Sequence, residues 1–217
     1  MSPNPLYLTE MFTSIQGETS RSGLPTVFIR LSGCPLRCTW CDTPYSFKRG
    51  DATSIADILD YVDSQGVPYV CVTGGEPLSQ PNVYGLMDKL VDRKFKVSLE
   101  TSGAVSTQRV NPEVKVVLDV KCPGSGESAK QLLENFDHLR PHDEVKFVIL
   151  DRQDFDYAIQ TVDTYALESK VEEILFSPVH GKLDPQTLIA WLLAEKRPYR
   201  LNLQIHKYVW EPQTRGV

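Results

Sequence analysis

No stretch of this 217-residue chain approaches the roughly 18–20 consecutive apolar residues that a membrane-crossing helix needs, which excludes a helical membrane span. Nor is there a basic run. Lys48-Arg49 and the cations between Arg197 and Arg200 are short and interrupted, and the net charge is −5, so the electrostatic footprint of a nucleic-acid binder is missing. Low-complexity tracts and internal repeats are absent. Met1-Ser2-Pro3-Asn4-Pro5 lacks the basic and apolar regions of a signal peptide. Cysteine is scarce and odd in number, five in all and mostly clustered, which argues against a secreted disulfide scaffold. The expected setting is a reducing cytoplasm, and the expected partner a small molecule.

What is present is the composition of a globular domain, 41% hydrophobic and 24% charged, with length enough to bury one substantial core. Strand-like runs cover Leu6 to Phe12, Thr26 to Leu31, Tyr69 to Thr73, Lys96 to Glu100, Lys115 to Val120, Val145 to Leu150, Ile174 to Phe176 and Leu201 to Ile205. Helical spacing covers 54–64, with Ser54 as N-cap, then 82–93, a short piece at 129–136, 155–168, and 185–195 with Pro185 in its first turn. Such alternation predicts a parallel sheet covered by helices. A full eight-stranded barrel takes about 250 residues, so the expectation is an incomplete TIM-type barrel of about six parallel strands in a single domain. In such folds ligands sit beyond the carboxyl ends of the strands. Arg30, Cys34, Thr73, Gly75, Glu100, Asp119, Lys121, Ser177 and His180 all fall there, and are expected to share one mouth.

Three of the cysteines lie in one loop, Cys34-Pro-Leu-Arg-Cys38-Thr-Trp-Cys41. Three thiolates hold three irons of a [4Fe–4S] cube and leave the fourth open to a ligand, whereas electron-carrying cubes usually have a fourth cysteine. A structural zinc site would also want a fourth ligand, and the loop has no histidine. Cys71, inside a strand, and Cys122, beside Pro123, read as non-ligating.

With Trp40 just before the last cysteine, and Thr73-Gly74-Gly75-Glu76-Pro77 closing a later strand, the loop resembles the radical S-adenosylmethionine (SAM) superfamily. Further segments narrow the resemblance: Met11 to Glu18 with Ile15-Gln16-Gly17-Glu18, Phe28-Ile29-Arg30, Cys41-Asp42-Thr43, Glu100-Thr101-Ser102-Gly103, Asp119-Val120-Lys121 and Gln204-Ile205-His206-Lys207. Together they cover most of the chain and resemble the 7-carboxy-7-deazaguanine synthase family. Two departures stand out: many members carry Ser-Pro-Lys in place of Asp119-Val120-Lys121, and Ser102 falls where Asn is common.

The resemblance implies a radical SAM fold with a substrate-binding segment at 6–31, a cluster loop at 32–44, a barrel core at 45–205 and a tail at 206–217. It implies conversion of 6-carboxy-5,6,7,8-tetrahydropterin to 7-carboxy-7-deazaguanine with loss of ammonia, on the route to queuosine and other deazapurines. A 5′-deoxyadenosyl radical would take hydrogen from C6 of the pterin and later return it, so that SAM acts catalytically. Cys34, Cys38 and Cys41 would hold the cluster and Thr43 a magnesium ion. Ile15, Gln16, Gly17, Arg30 and Thr73 would bind substrate, Arg30 through the pterin carboxylate. Trp40, Asp42, Gly75, Glu76, Glu100, Ser102, Asp119, Lys121, Ser177 and His180 would contact SAM, Glu76 by facing its ammonium. A homodimer and a flavodoxin or ferredoxin donor are implied as well, since the chain carries no second cluster motif and no flavin fingerprint. Two other readings stay open here: a glycyl-radical activating enzyme, which shares Cys-x3-Cys-x2-Cys, and a non-enzymatic iron–sulfur or zinc module.

Overall fold

Alternate positions in the strands carry different kinds of side chain, and that alternation builds the molecule. The computed structural model describes residues 5–217; of the Met1 to Pro5 stretch read for a signal peptide, Met1-Ser2-Pro3-Asn4 lies outside the described residues. Two strands open the fold as an antiparallel hairpin, β1 (Leu6–Ile15) and β2 (Pro25–Leu31), and the short β3 (Asp51–Thr53) pairs with the free edge of β1. There follow α1 (Ile55–Gln65), β4 (Tyr69–Gly74), α2 (Val83–Asp92), β5 (Lys96–Thr101), β6 (Lys115–Val120), β7 (Glu144–Ile149), α3 (Arg152–Tyr165), β8 (Glu173–Pro178), α4 (Pro185–Glu195), β9 (Arg200–Leu201) and α5 (His206–Val209). Among the described residues nine strands form one sheet in the order β3-β1-β2-β4-β5-β6-β7-β8-β9, parallel from β2 onward and not closed on itself. The expected incomplete barrel is therefore present, with six substantial parallel strands and a two-residue seventh.

Odd and even strand positions face opposite sides. Val27, Ile29, Val70, Val72, Val97, Leu99, Val116, Leu118, Val145, Phe147, Ile174 and Phe176 belong to the apolar core shared with the helices. Their alternates are largely polar: Arg30, Thr73, Ser98, Glu100, Lys115, Asp119, Glu144, Lys146 and Ser177. Register places Arg30 opposite Thr73, Asp119 opposite Lys146 and Val148 opposite Ser177, so these side chains form layers inside the curl. The helices have local causes. Ser54 caps α1 by accepting from the Asp57 amide at 3.1 Å, and Gly66 ends it in the left-handed conformation. Ile58, Leu59 and Val62 are its buried face.

Three expectations change. The piece at 129–136 is not an α-helix but two 3-10 turns, Ser128–Lys130 and Leu133–Asp137. Its polar groups bond the 103–107 loop instead: Leu132 N donates to Gly103 O, and Asn135 takes the Thr107 amide while donating to Gly103 O and Val105 O. The final strand is only Arg200–Leu201, because Asn202 turns aside to take the Thr19 amide at 2.8 Å and to donate to Ser177 Oγ at 2.7 Å. Strand β1 runs three residues beyond its expected end, to Ile15. The β1–β2 loop then crosses the amino-terminal ends of the barrel strands, where Ser20 bonds Glu144 and the Arg21 guanidinium donates to Lys96 O. No helix among the described residues is long and apolar enough to cross a membrane.

Candidate active site

At the carboxyl ends of the strands lies a cavity of about 530 Å³. Every residue proposed from the sequence lines it except Glu76. The cluster loop enters it because β2 ends in Leu31 and turns at Gly33, whose φ of +86° suits a residue without Cβ. The Gly74-Gly75 turn packs directly on that loop. Gly75 N donates to Leu31 O at 3.0 Å and Glu76 N to Gly33 O at 2.9 Å. A Cβ on Gly75 would lie 2.2 Å from Gly33 O and 2.8 Å from Cys34 Cβ. Gly75→Ala is therefore expected to cost about 1–3 kcal/mol of stability by overpacking against backbone that cannot yield. It should also displace the cysteine loop: thermal melting of the variant should drop, with less iron retained after reconstitution.

Cys34, Cys38 and Cys41 are free, partly exposed thiols on the cavity wall, while Cys71 and Cys122 are fully buried and do not line it. The loop is stitched down by Arg37 N on Glu127 Oε1 (2.6 Å), Thr39 N on Ser125 O (3.1 Å) and the Arg37 guanidinium on Cys34 O (2.8 Å). Burial pushes the Cys34 and Cys38 thiols up, opposed first by the Leu36 amide at Cys34 and by Lys121 at Cys38; loading iron therefore expels protons. A single tetrahedral ion would need ligands converging on one point. Among the described residues no three His, Cys, Asp or Glu side chains do so. Three separated thiols fit a multi-iron cube, in which each thiolate binds a different iron.

Glu76 has another place. It is fully buried behind the cavity wall, and its carboxylate accepts from Thr101 Oγ1 (2.8 Å), Ser102 N (2.8 Å), Ser102 Oγ (2.5 Å) and Leu78 N (3.0 Å). With its lone pairs taken by the chain, it is unsuited to face a SAM ammonium and instead ties the glycine turn to the end of β5. Ser102, whose hydroxyl serves that tie, still borders the cavity.

On the opposite wall the Glu100 carboxylate takes Gln16 Nε2 at 3.2 Å and Thr73 Oγ1 at 3.1 Å. Burial pushes Glu100 up, opposed first by Lys146, with Glu18 raising it further. Gln16 Oε1 takes the Glu18 amide, so both ends of this side chain are oriented. Arg30 Nε donates to Glu10 Oε1 at 2.8 Å, and Tyr45 OH donates to the same oxygen at 3.0 Å. That grip leaves the terminal nitrogens of the fork for another partner. Gly17 meets the tail: a Cβ there would lie 2.0 Å from His206 Nδ1, and Gly17 O accepts from Ile205 N. Trp40 lies just before Cys41 on the loop, and Asp42 and Thr43 follow it. Crowding opposes ionisation of Asp42, but Lys207 and the bond from Gln204 bring its pKa down to about 2. Asp119, Lys121, Ser177 and His180 form the remaining side. Lys121 Nζ lies 2.9 Å from Asp119 Oδ1 at an angle that makes an ion pair but no hydrogen bond. That buried oxygen keeps an acceptor position for a ligand hydroxyl, as a SAM ribose would offer.

A 7-carboxy-7-deazaguanine synthase from Koribacter versatilis is 42% identical over 98% of this chain and 100% of the relative, and one from Chlorobaculum tepidum is 40% identical over 98% of each. The chain belongs to the 7-carboxy-7-deazaguanine synthase family. The Radical SAM superfamily model matches residues 28–120, from β2 through the cluster loop to the end of β6. A solved structure agrees: QueE from Escherichia coli superposes with a TM-score of 0.75 at 26% identity, covering 92% of this chain and 93% of that one.

Among the residues of this deazaguanine synthase family cavity with no role in the sequence reading are Glu10, Glu18, Tyr45, Lys146 and Gln204. For Lys146 a signal existed. Glu144-Val-Lys146-Phe-Val-Ile149 alternates, and a charge inside a buried strand marks a lumen-facing position. Glu18 and Gln204 stand in segments that carry the resemblance, without an assigned role, whereas Glu10 and Tyr45 had no such signal.

Proposed function

We propose that this chain converts 6-carboxy-5,6,7,8-tetrahydropterin to 7-carboxy-7-deazaguanine with loss of ammonia. The observation that carries the reading is the meeting, in one cavity, of the three-cysteine loop, the Gly74-Gly75 turn and the Gln16–Arg30–Thr73–Glu100 wall. When bound, the [4Fe–4S] cluster and SAM supply a 5′-deoxyadenosyl radical. Loss of one ammonia accounts for the whole change in composition, so the hydrogen removed must be returned and no net oxidant is needed.

The chain contributes position and charge. Arg30, turned by Glu10, offers its terminal nitrogens to the pterin carboxylate. Gln16 and Thr73, which bond Glu100, offer donors and an acceptor to the pterin edge. Thr43 Oγ1, beside the Cys41 thiol at 3.9 Å, would give magnesium one oxygen ligand. Magnesium takes about six oxygens, and the substrate and water would supply the rest. Asp119 Oδ1 would take the SAM ribose, and the Gly75 backbone the SAM amino group. We assign the electron to an external flavodoxin or ferredoxin, and the setting to a homodimer in the cytoplasm.

The test is anaerobic turnover with reductant, SAM, magnesium and the carboxytetrahydropterin. A deazaguanine product with SAM conserved is the expected result; 5′-deoxyadenosine alone, with the pterin untouched, would refute the assignment.

A further inference from the structure

Lys146 sits inside the cavity wall with its side chain only 10% exposed. Its Nζ lies 2.8 Å from Glu18 Oε2, on the β1–β2 loop, and 3.3 Å from Asp119 Oδ2, on β6. Contacts continue from both ends. Asp119 pairs with Lys121. Glu18 Oε1 accepts from Gln204 Nε2 at 2.7 Å, and the same nitrogen reaches Asp42 Oδ2 at 3.1 Å. Lys207 Nζ closes the set, 3.1 Å from Asp42 Oδ2 and 2.6 Å from Gln204 Oε1. One polar chain thus runs from the barrel wall, through the β1–β2 loop and residues 204–207, to the Asp42 end of the cluster loop.

The choice of lysine has a reason. Glu18, Glu100 and Asp119 bring three carboxylates around a site where burial alone would discharge an ammonium, and their combined field keeps Lys146 charged. Glu18, pushed up by burial, is returned below the ordinary carboxylate range by Lys146. Two further ties of the segment, the backbone bond of Ile205 N on Gly17 O and the Asn202 side chain accepting from Thr19 N, both land on the loop that Glu18 anchors.

We propose that Lys146 is a positioning residue that, through Glu18, fastens residues 202–207 over the cavity and steadies the end of the cluster loop with them. The alternative is that the segment is held by its backbone bonds and packing, with the charges incidental. The proposal is independent of the substrate assigned above, and its test needs no turnover.

The test is amide hydrogen exchange on the apoprotein. Lys146→Met keeps length and apolar bulk but strands the buried Glu18 carboxylate, which is costlier than removing both charges. Exchange at Ile205 and Lys207 to Trp210 should rise about tenfold or more, with α1 and α2 unchanged. Adding Glu18→Gln, which keeps an acceptor for Gln204, should return those amides to within about threefold of the parent. Unchanged exchange in Lys146→Met, or a double variant as fast as the single, would overturn the proposal. Should Lys146→Met fail to fold, Glu18→Ala serves, since it removes the acceptor of both Lys146 and Gln204: faster exchange in the same segment supports the tie, and parental exchange removes it.

Discussion

Cys38→Ala, reconstituted anaerobically, is expected to lose the iron content of about four per chain and to form no measurable product. Each cluster-loop thiol lines the cavity, and the two remaining cysteines cannot substitute: Cys71 and Cys122 are fully buried and away from the cavity. Burial pushes both of those thiols far up, so neither offers a thiolate. Cys71→Ala and Cys122→Ala are the matched controls, and each should keep its iron. Iron and sulfide analysis with the absorption spectrum of the reconstituted protein decides it. A Cys38→Ala protein with full iron and parental turnover would remove the three-thiolate assignment.

Arg30→Ala is expected to raise the pterin KM about 10²–10³-fold, the scale of losing one partner of a buried charge-assisted pair. Uncoupled SAM cleavage should remain largely intact. Glu10, itself bonded by Tyr45, turns the Arg30 guanidinium and holds it charged against its burial. Lysine does not replace it, because an ammonium held by Glu10 has no planar edge left to present to a carboxylate. Since Arg30→Ala also strands Glu10, Glu10→Gln is the companion variant: it loosens the fork's aim while leaving its charge, and should raise KM by only about tenfold. The measurement is steady-state product formation beside 5′-deoxyadenosine release. Equal loss of both on Arg30→Ala would contradict the carboxylate role and place Arg30 in the support of the SAM site.

Much of this site was legible before any fold was known. The cysteine spacing and the glycine pair are local signals, set by how few residue types suit an iron ligand or a turn with no room for Cβ. The strands were legible through period-two patterning, and their carboxyl ends located the mouth. The misreadings share a cause. Residues 129–136 have helical spacing, yet Asn135 and the Leu132 amide find better partners across the loop at 103–107. Glu76 sits in a motif that names it, yet Thr101 and Ser102 take its carboxylate.

By itself, the sequence determined the family, the class of fold and the three-cysteine loop proposed to hold a cluster, because spacing along a chain and alternation along a strand are properties of neighbours. Only the tertiary structure decided what Glu10, Glu18, Lys146 and Gln204 do. Lys146 and Glu18 stand 128 positions apart, and Gln204 and Glu18 stand 186 apart. Their meeting depends on strand register, on the curl of an open sheet and on a loop that crosses beneath it. No local pattern encodes such a contact, because each partner alone is an ordinary charged or amide side chain that would sit as comfortably in water.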